Sequence, residues 1–303
     1  MRLTLDALET LDAIEQQGSF AKAAEVLHRV PSAVTYTVQK LESDLGVALF
    51  DRSGKRARLT DAGQALLERG RILLRDAENL ENLVKRVSHG WELQLTLAVD
   101  DLVPMAALLP IIAEFDAQST GTRIRLTREI LSGAWDALID RRADLAIGAT
   151  GEMPAGHGLE SQLWCEMSFV FAVAAHHPLA EGTAPLSIEE LVRYRAIVAS
   201  DSSRRLPPRS SGLFEGQETL VVPTLDAKLA AQRYGLGVGY LPRHLVLPEL
   251  ERGTMVVREI AVPRAPVSLN LGWRAGDEGR ALAWFRARLA DDHALQALLA
   301  AGT

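Results

Sequence analysis

The chain has 303 residues, 33 Lys and Arg against 39 Asp and Glu for a formal net charge of −6, and 48% hydrophobic residues. That hydrophobic share excludes a largely disordered chain, and the length suffices for two or more domains with cores of their own. The lone Cys165 excludes an internal disulfide and reads as a small buried hydrophobe.

Along the chain, Met1-Arg2-Leu3-Thr4 leads straight into an amphipathic helix rather than an export signal, and no apolar run reaches the length of a membrane span. The expectation is a cytoplasmic protein without membrane contact. Residues 19–41 then read as two short helices meeting at a tight corner. Phe20, Ala23, Ala24 and Leu27 fall at i, i+3, i+4 and i+7, one apolar stripe. Pro31 suits the first turn of the next helix, where its missing N–H has no partner anyway. Val34, Val38, Leu41 and Leu45 form the second stripe. Ser32, Thr35, Tyr36, Gln39 and Lys40 occupy the opposite face, with groups able to reach base edges and phosphates in a major groove.

Next comes LFDRSGKRARLTDAG, residues 49–63, in which Arg52, Lys55, Arg56 and Arg58 cluster around a Ser53-Gly54 turn. A basic hairpin directly after a polar-faced helix reads as a wing on the phosphate backbone. The charge distribution agrees. Residues 1–90 hold 13 basic and 13 acidic side chains and the remainder 20 and 26, so the acidity lies outside this segment. The segment resembles the winged helix-turn-helix of LysR-type transcriptional regulators. Ser19-Phe20, Ala23-Ala24, Leu27, Ala33-Val34, Leu41-Glu42, Gly46, Leu49-Phe50, Arg52, Leu59-Thr60 and Gly63 carry the match. Two departures stand out: Tyr36 where an arginine is frequent, and Val30 where a hydroxyl or amide cap is usual.

Residues 61–89 lack proline and read as one long helix. Leu66, Leu73, Leu80 and Val87 recur every seven residues, and Gly70, Ala77 and Val84 lie four places after the first three. That pattern predicts a seam with a second chain, close-packed at Gly70 and Ala77. The resemblance implies that this linker helix dimerises, giving a homodimer or a tetramer built from two dimers.

From Trp91 the pattern changes to alternating strand and helix, the grammar of a mostly parallel sheet covered on both faces. The expected elements are a strand at 93–99, helix Pro104–Phe115, strand Ile124–Glu129, a helix about Ala134–Arg142, a strand Asp144–Gly148, and similar runs through 167–173, 188–199, 218–241 and 255–290. The resemblance implies a two-lobed α/β effector domain similar to a type 2 periplasmic binding protein. The whole chain then divides into a winged helix-turn-helix at 1–60, a linker helix at 61–90 and an effector domain at 91–303. Lobe one would be about 92–160 with 267–303, and lobe two about 163–264.

Catalytic chemistry is not indicated. His176-His177 has no partner at metal-ligand spacing, Ser200, Ser202 and Ser203 sit in no nucleophile elbow, and Gly235-x-Gly237-x-Gly239 lacks dinucleotide-binding spacing. No metal site and no cofactor are expected.

Taken with the resemblance, these features imply a regulator that binds double-stranded DNA, takes a small-molecule effector between its lobes, and acts through DNA bending or contact with RNA polymerase. The cleft would be formed by Asp100, Asp101 and Leu102 on one wall and Ser200, Asp201, Ser202, Thr224 and Asp226 on the other. Asp101 is placed to cap the helix that follows it. With two aspartates and no cation on these walls, although Arg204 and Arg205 are near in sequence, the expected effector is neutral, aromatic or cationic.

Overall fold

The computed structural model describes residues 3–51, 57–262, 264–277 and 279–300; the side chains of 82, 83 and 85–89 also lie outside the description. The chain forms two compact units, 1–84 and 85–303.

The first unit packs α1 (Leu5–Gln17), α2 (Phe20–Val26) and α3 (Pro31–Leu45) around one small core. Thr4 caps α1 by accepting the Ala7 N–H, and Gly18 ends it in a left-handed conformation. Ala23 and Ala24 of α2 meet Val34, Val38 and Leu41 of α3 in that core. Leu45 is exposed, against the expected stripe, because it is the last residue of α3 before Gly46 turns the chain away. Two short strands, β1 (Phe50–Asp51) and β2 (Arg58–Leu59), pair antiparallel as a hairpin. Helix α4 then runs Asp61–His89.

In the second unit, five strands form a mixed sheet ordered β4-β3-β5-β12-β6: Arg123–Glu129, Gln94–Asp100, Leu145–Thr150, Val267–Arg274 and Leu159–Met167. β3 runs parallel to β4 and β5, whereas β12 is antiparallel to β5 and β6. Helices α5 (Met105–Asp116) and α6 (Gly133–Ile139) connect the parallel strands. β3 is buried on both faces: Leu95, Leu97 and Val99 join the main core, while Ala98 packs in a separate cluster with Trp135.

The second lobe carries β7 (Phe169–Ala174) between β10 (Gly239–Pro242) and β11 (Met255–Arg258), all antiparallel. Beside it β8 (Ala196–Ala199) and β9 (Thr219–Val222) run parallel, joined to it by a bridge from Ala196 to Val238. Around these lie α7 (Ile188–Leu191), α8 (Leu225–Arg233) and α9 (Arg243–Glu251), and the chain ends on α10 (Arg280–Ala290) and α11 (His293–Ala300). β6 continues to Met167 in lobe one, so the division expected at 160–163 cuts through a strand that pairs with β12 along its length. The chain crosses between lobes at Ser168 and again just before Val267.

Candidate functional site

Two surfaces carry functional chemistry. The first is the outer face of α3. Val30 precedes the helix in an extended conformation and supplies no side-chain cap, and Pro31 occupies the first turn. With Val34, Val38 and Leu41 buried, the helical period leaves Ser32, Tyr36, Gln39 and Lys40 in solvent, Tyr36 at 65% exposure. Thr35 is less free. It is half-buried, and its hydroxyl donates to the Pro31 carbonyl at 2.9 Å, so it can meet a base only as an acceptor.

The hairpin is fixed to α3 by Glu42, whose Oε1 accepts the N–H of Leu49 at 2.8 Å and of Phe50 at 3.2 Å. Thr60 braces the return strand by donating to the Ala48 carbonyl, and an edge-to-face contact between Phe20 and Phe50 closes the base. Arg58 is exposed on β2. The other expected phosphate ligands, Arg52, Lys55 and Arg56, lie outside the described residues.

The start of α4 departs from the expected seam. Leu66 and Leu67 pack into the unit's own core. A Cβ on Gly70 would stand 2.6 Å from Leu8 Cδ2, so this glycine admits α1 rather than a partner helix. Arg71 holds α4 to α1 through Asp12 at 2.7 Å and Glu15 at 2.9 Å. Beyond that point Leu73, Leu80 and Val84 stand 47%, 62% and 64% exposed. The Val87 side chain lies outside the description.

The second surface is a cavity of about 490 Å³ between the lobes of the second unit, lined by Asp100, Asp101 and Leu102 at the end of β3. Asp100 is fully buried. Its Oδ1 accepts the Leu102 N–H at 3.0 Å, Oδ2 has no partner, and burial pushes its carboxyl well above the usual range. Burial thus works against a charge on this carboxyl. Asp101 does not cap its own helix, which starts at Met105 behind Pro104. Its Oδ2 instead accepts the N–H of Leu225, the first residue of α8, at 2.6 Å, and Oδ1 lies 3.2 Å from Arg128.

None of the five residues expected on the opposite wall lines the cavity. Ser202 donates to Glu129 and accepts the Ile130 N–H, which ties it to β4. Asp201 accepts the backbone N–H groups of Ser132, Ser203 and Arg209. Thr224 caps α8 through the Ala227 N–H. Asp226 points outward, 3.5 Å from Arg128. Ser200 uses its N–H on the Val222 carbonyl beyond β8. Arg204 and Arg205 are drawn away as well, their N–H groups donating to the buried Asp136.

What fills that wall is positive. Arg209, Lys228 and Arg264 all line the cavity. Lys228 is 7% exposed with no carboxylate in ion-pair reach among the described residues; burial, reinforced by Arg264, lowers its amine to about 8. The Arg264 guanidinium lies 4.3 Å from the ring centre of Phe169 and 5.1 Å from that of Tyr240, and donates to Ser211 Oγ at 2.6 Å. Arg209 donates to the Thr150 carbonyl at 3.1 Å. The premise of a wall without cations is thus corrected. The signal for Lys228 was in the sequence: the buried face of α8 reads Leu225, Lys228, Ala231, Gln232, a lysine where the helical period demands an apolar residue.

No group of three or more His, Cys, Asp and Glu able to hold a metal occurs among the described residues. Cys165 is half-buried, and burial pushes its thiol up to about 11. No helix among the described residues is long and apolar enough to cross a membrane.

Comparison with known proteins places both units in one family. Residues 5–64 match the bacterial regulatory helix-turn-helix protein model of the lysR family, and residues 88–294 match the LysR substrate binding domain. The chain is 39% identical over 300 residues to the uncharacterized HTH-type transcriptional regulator YeeY of Escherichia coli K12, covering 99% of this chain and 97% of that protein. It is 36% identical over 289 residues to the regulator PunR of the same strain, covering 95% and 93%. Among solved structures, full-length CbnR complexed with target DNA aligns with a TM-score of 0.63 at 20% identity, covering 95% of this chain and 99% of that one. The probable transcriptional regulator PA0477 of Pseudomonas aeruginosa aligns at 0.59 and 23% identity, covering 95% and 96%. The chain belongs to the LysR family of transcriptional regulators, DNA-binding proteins with a substrate-binding effector domain and not enzymes.

Proposed function

We propose that this regulator reads its operator with Ser32, Tyr36, Gln39 and Lys40 of α3 in the major groove, with Thr35 assisting as an acceptor. Arg52, Lys55, Arg56 and Arg58 of the wing hold phosphates. The observation that carries this is the division of α3, whose apolar side chains are buried in the core while its polar ones face solvent. The exposed stripe Leu73, Leu80 and Val84 supports pairing of α4 between two copies, with Leu66 kept for the internal core. A two-fold pair then implies half-sites about one helical turn apart or a multiple of it. A small molecule in the inter-lobe cavity biases the arrangement of the dimers, and through it the DNA bend or contact with RNA polymerase. Such a protein works in the cytoplasm, as a homodimer or a tetramer of paired dimers.

The experiment is selection of duplexes from a random pool by the full chain, followed by binding at several salt concentrations. Arg58→Ala should weaken all sequences alike and reduce the salt slope by about one. Tyr36→Ala should leave the slope unchanged and flatten base preference at one position of each half-site. Unchanged preference in Tyr36→Ala, with an unchanged slope in Arg58→Ala, refutes the assignment.

A further inference from the structure

We infer that the inter-lobe cavity takes an organic anion, a carboxylate or similar group on an apolar or aromatic body, with Lys228, Arg264 and Arg209 as its charge partners. The inference rests on the reading of this cavity as the effector site.

Three cations line a space of about 490 Å³: Lys228 is buried, Arg264 half-buried and Arg209 exposed beside Asp100, and neither Lys228 nor Arg264 has a carboxylate in ion-pair reach among the described residues. Elsewhere in the unit, Arg142 meets Glu129 and Asp136, Arg274 meets Asp144 and Asp277, and the buried Arg258 donates to the carbonyls of Leu179, Glu181 and Ala184, whereas the Lys228 ammonium has no ion-pair or hydrogen-bond partner among the described residues. A buried ammonium or guanidinium left without a counter-charge costs stability, and folds keep such groups where a ligand supplies the missing charge. The acidic groups of the cavity do not fill that role. Asp100 is fully buried with its carboxyl pushed well above the usual range, Asp101 is engaged by Arg128 and the Leu225 N–H, and Glu152 is exposed.

The remaining lining sets the ligand's body. Phe169 and Tyr240 already carry Arg264 on their faces, and Leu102, Ile130 and Leu225 supply aliphatic surface. An anion placed against Lys228 and Arg264 would have its apolar part against these side chains. The arrangement separates charge recognition from shape recognition, as mostly apolar ligand sites with a few polar anchors do.

The test compares benzoate, benzamide and benzamidine, one ring carrying an anion, a neutral amide and a cation, by thermal shift and calorimetry on the full chain. Benzoate should raise the melting temperature and the other two should not. Lys228→Met should lower benzoate affinity at least tenfold, and Lys228→Arg should restore most of it. Benzamide or benzamidine stabilising the protein as well as benzoate overturns the inference, as does an undiminished benzoate response in Lys228→Met or no response in the wild type. Ala199→Trp, which fills the cavity from β8, separates the two readings. A neutral or cationic probe that Ala199→Trp excludes leaves the effector site standing and removes only the anion. A benzoate response that survives both Ala199→Trp and Lys228→Met removes the site itself.

Discussion

The carboxylate of Asp101 accepts the backbone N–H of Leu225 at 2.6 Å, so a residue leaving the first strand of lobe one caps the first turn of a helix in lobe two. Arg128 extends the link, standing 3.2 Å from Asp101 and 3.5 Å from Asp226. Helix α8 thus has its leading N–H groups shared between its own Thr224 and a side chain from across the cavity. Because Asp101 also lines the cavity, a ligand held there would meet this contact between the lobes. A ligand that displaces or tightens it shifts the balance between open and closed forms.

Asp101→Ala should therefore destabilise the effector domain by about 1 kcal/mol, the usual cost of losing a cap. It should also speed hydrogen exchange in the peptide spanning 222–229, measured by mass spectrometry on the unliganded chain. Asp101→Asn keeps an acceptor and should recover part of the protection. Equal exchange in Asp101→Ala and wild type would show that Thr224 alone holds the helix start.

Lys228 makes the opposite kind of prediction. Its amine falls from 10.5 to about 8 because burial, then Arg264, penalises the charged form. The folded state thus disfavours the proton that the unfolded chain holds. The penalty is fully present below about pH 8 and is relieved as pH rises toward 10.5. Lys228→Met should stabilise the unliganded protein by up to about 3 kcal/mol at neutral pH, from ~1.4 kcal/mol per pKa unit. The gain should shrink as the pH rises through that window. Calorimetric melting of both proteins from pH 7 to 10 checks it; a variant that melts lower than wild type at pH 7 would mean that Lys228 has a counter-charge in the unliganded protein.

The parts legible in the sequence are those whose packing is local. In α2 and α3 the spacing of Ala23, Ala24, Val34, Val38 and Leu41 alone separates core from solvent, and those residues are buried. The strand-helix alternation of the effector domain was readable over the parallel run of β3, β4 and β5, but the mostly parallel sheet expected from it was not found. β12 runs antiparallel to β5 and β6, and β10, β7 and β11 are all antiparallel, pairings between segments remote in sequence. The cavity was half legible. Asp100, Asp101 and Leu102 follow one strand end and could be placed, but Arg209, Lys228 and Arg264 come from three distant segments that only the tertiary fold brings together. The upward push on the Asp100 carboxyl was beyond reach for the same reason, since burial by residues remote in sequence causes it. Gly70 misled in another way: a small residue at heptad spacing signals close approach without saying whether the neighbour belongs to the same chain.

That distinction is testable at Gly70. A methyl group there would meet Leu8 Cδ2 at 2.6 Å, and Leu8, 1% exposed, has little open space into which its flexible end can turn. Gly70→Ala combines this crowding with a better helix former, and crowding should win, at a net cost of about 1–2 kcal/mol. Thermal melting of the DNA-binding unit should report the loss, while sedimentation of the full chain should show an unchanged oligomer. Dissociation of the oligomer with no loss of stability would put Gly70 back in the seam between chains.

The proposed seam lies further along α4. Leu73 and Leu80 are one heptad apart and Val84 one turn beyond, all on the surface of the single chain, where exposed apolar side chains in register need a partner to leave water. Leu66, one heptad earlier, already has its partners in the unit's own core. A charge at 73 should therefore act on assembly, and one at 66 on folding. Leu73→Glu would bury an unpaired carboxylate between two helices, costing several kcal/mol in a dry seam. The chain should then sediment as a monomer at micromolar concentration while melting of the DNA-binding unit stays near that of wild type. Leu66→Glu should instead lower that melting point directly. An intact oligomer in Leu73→Glu would mean that the exposed stripe of α4 is not the pairing surface.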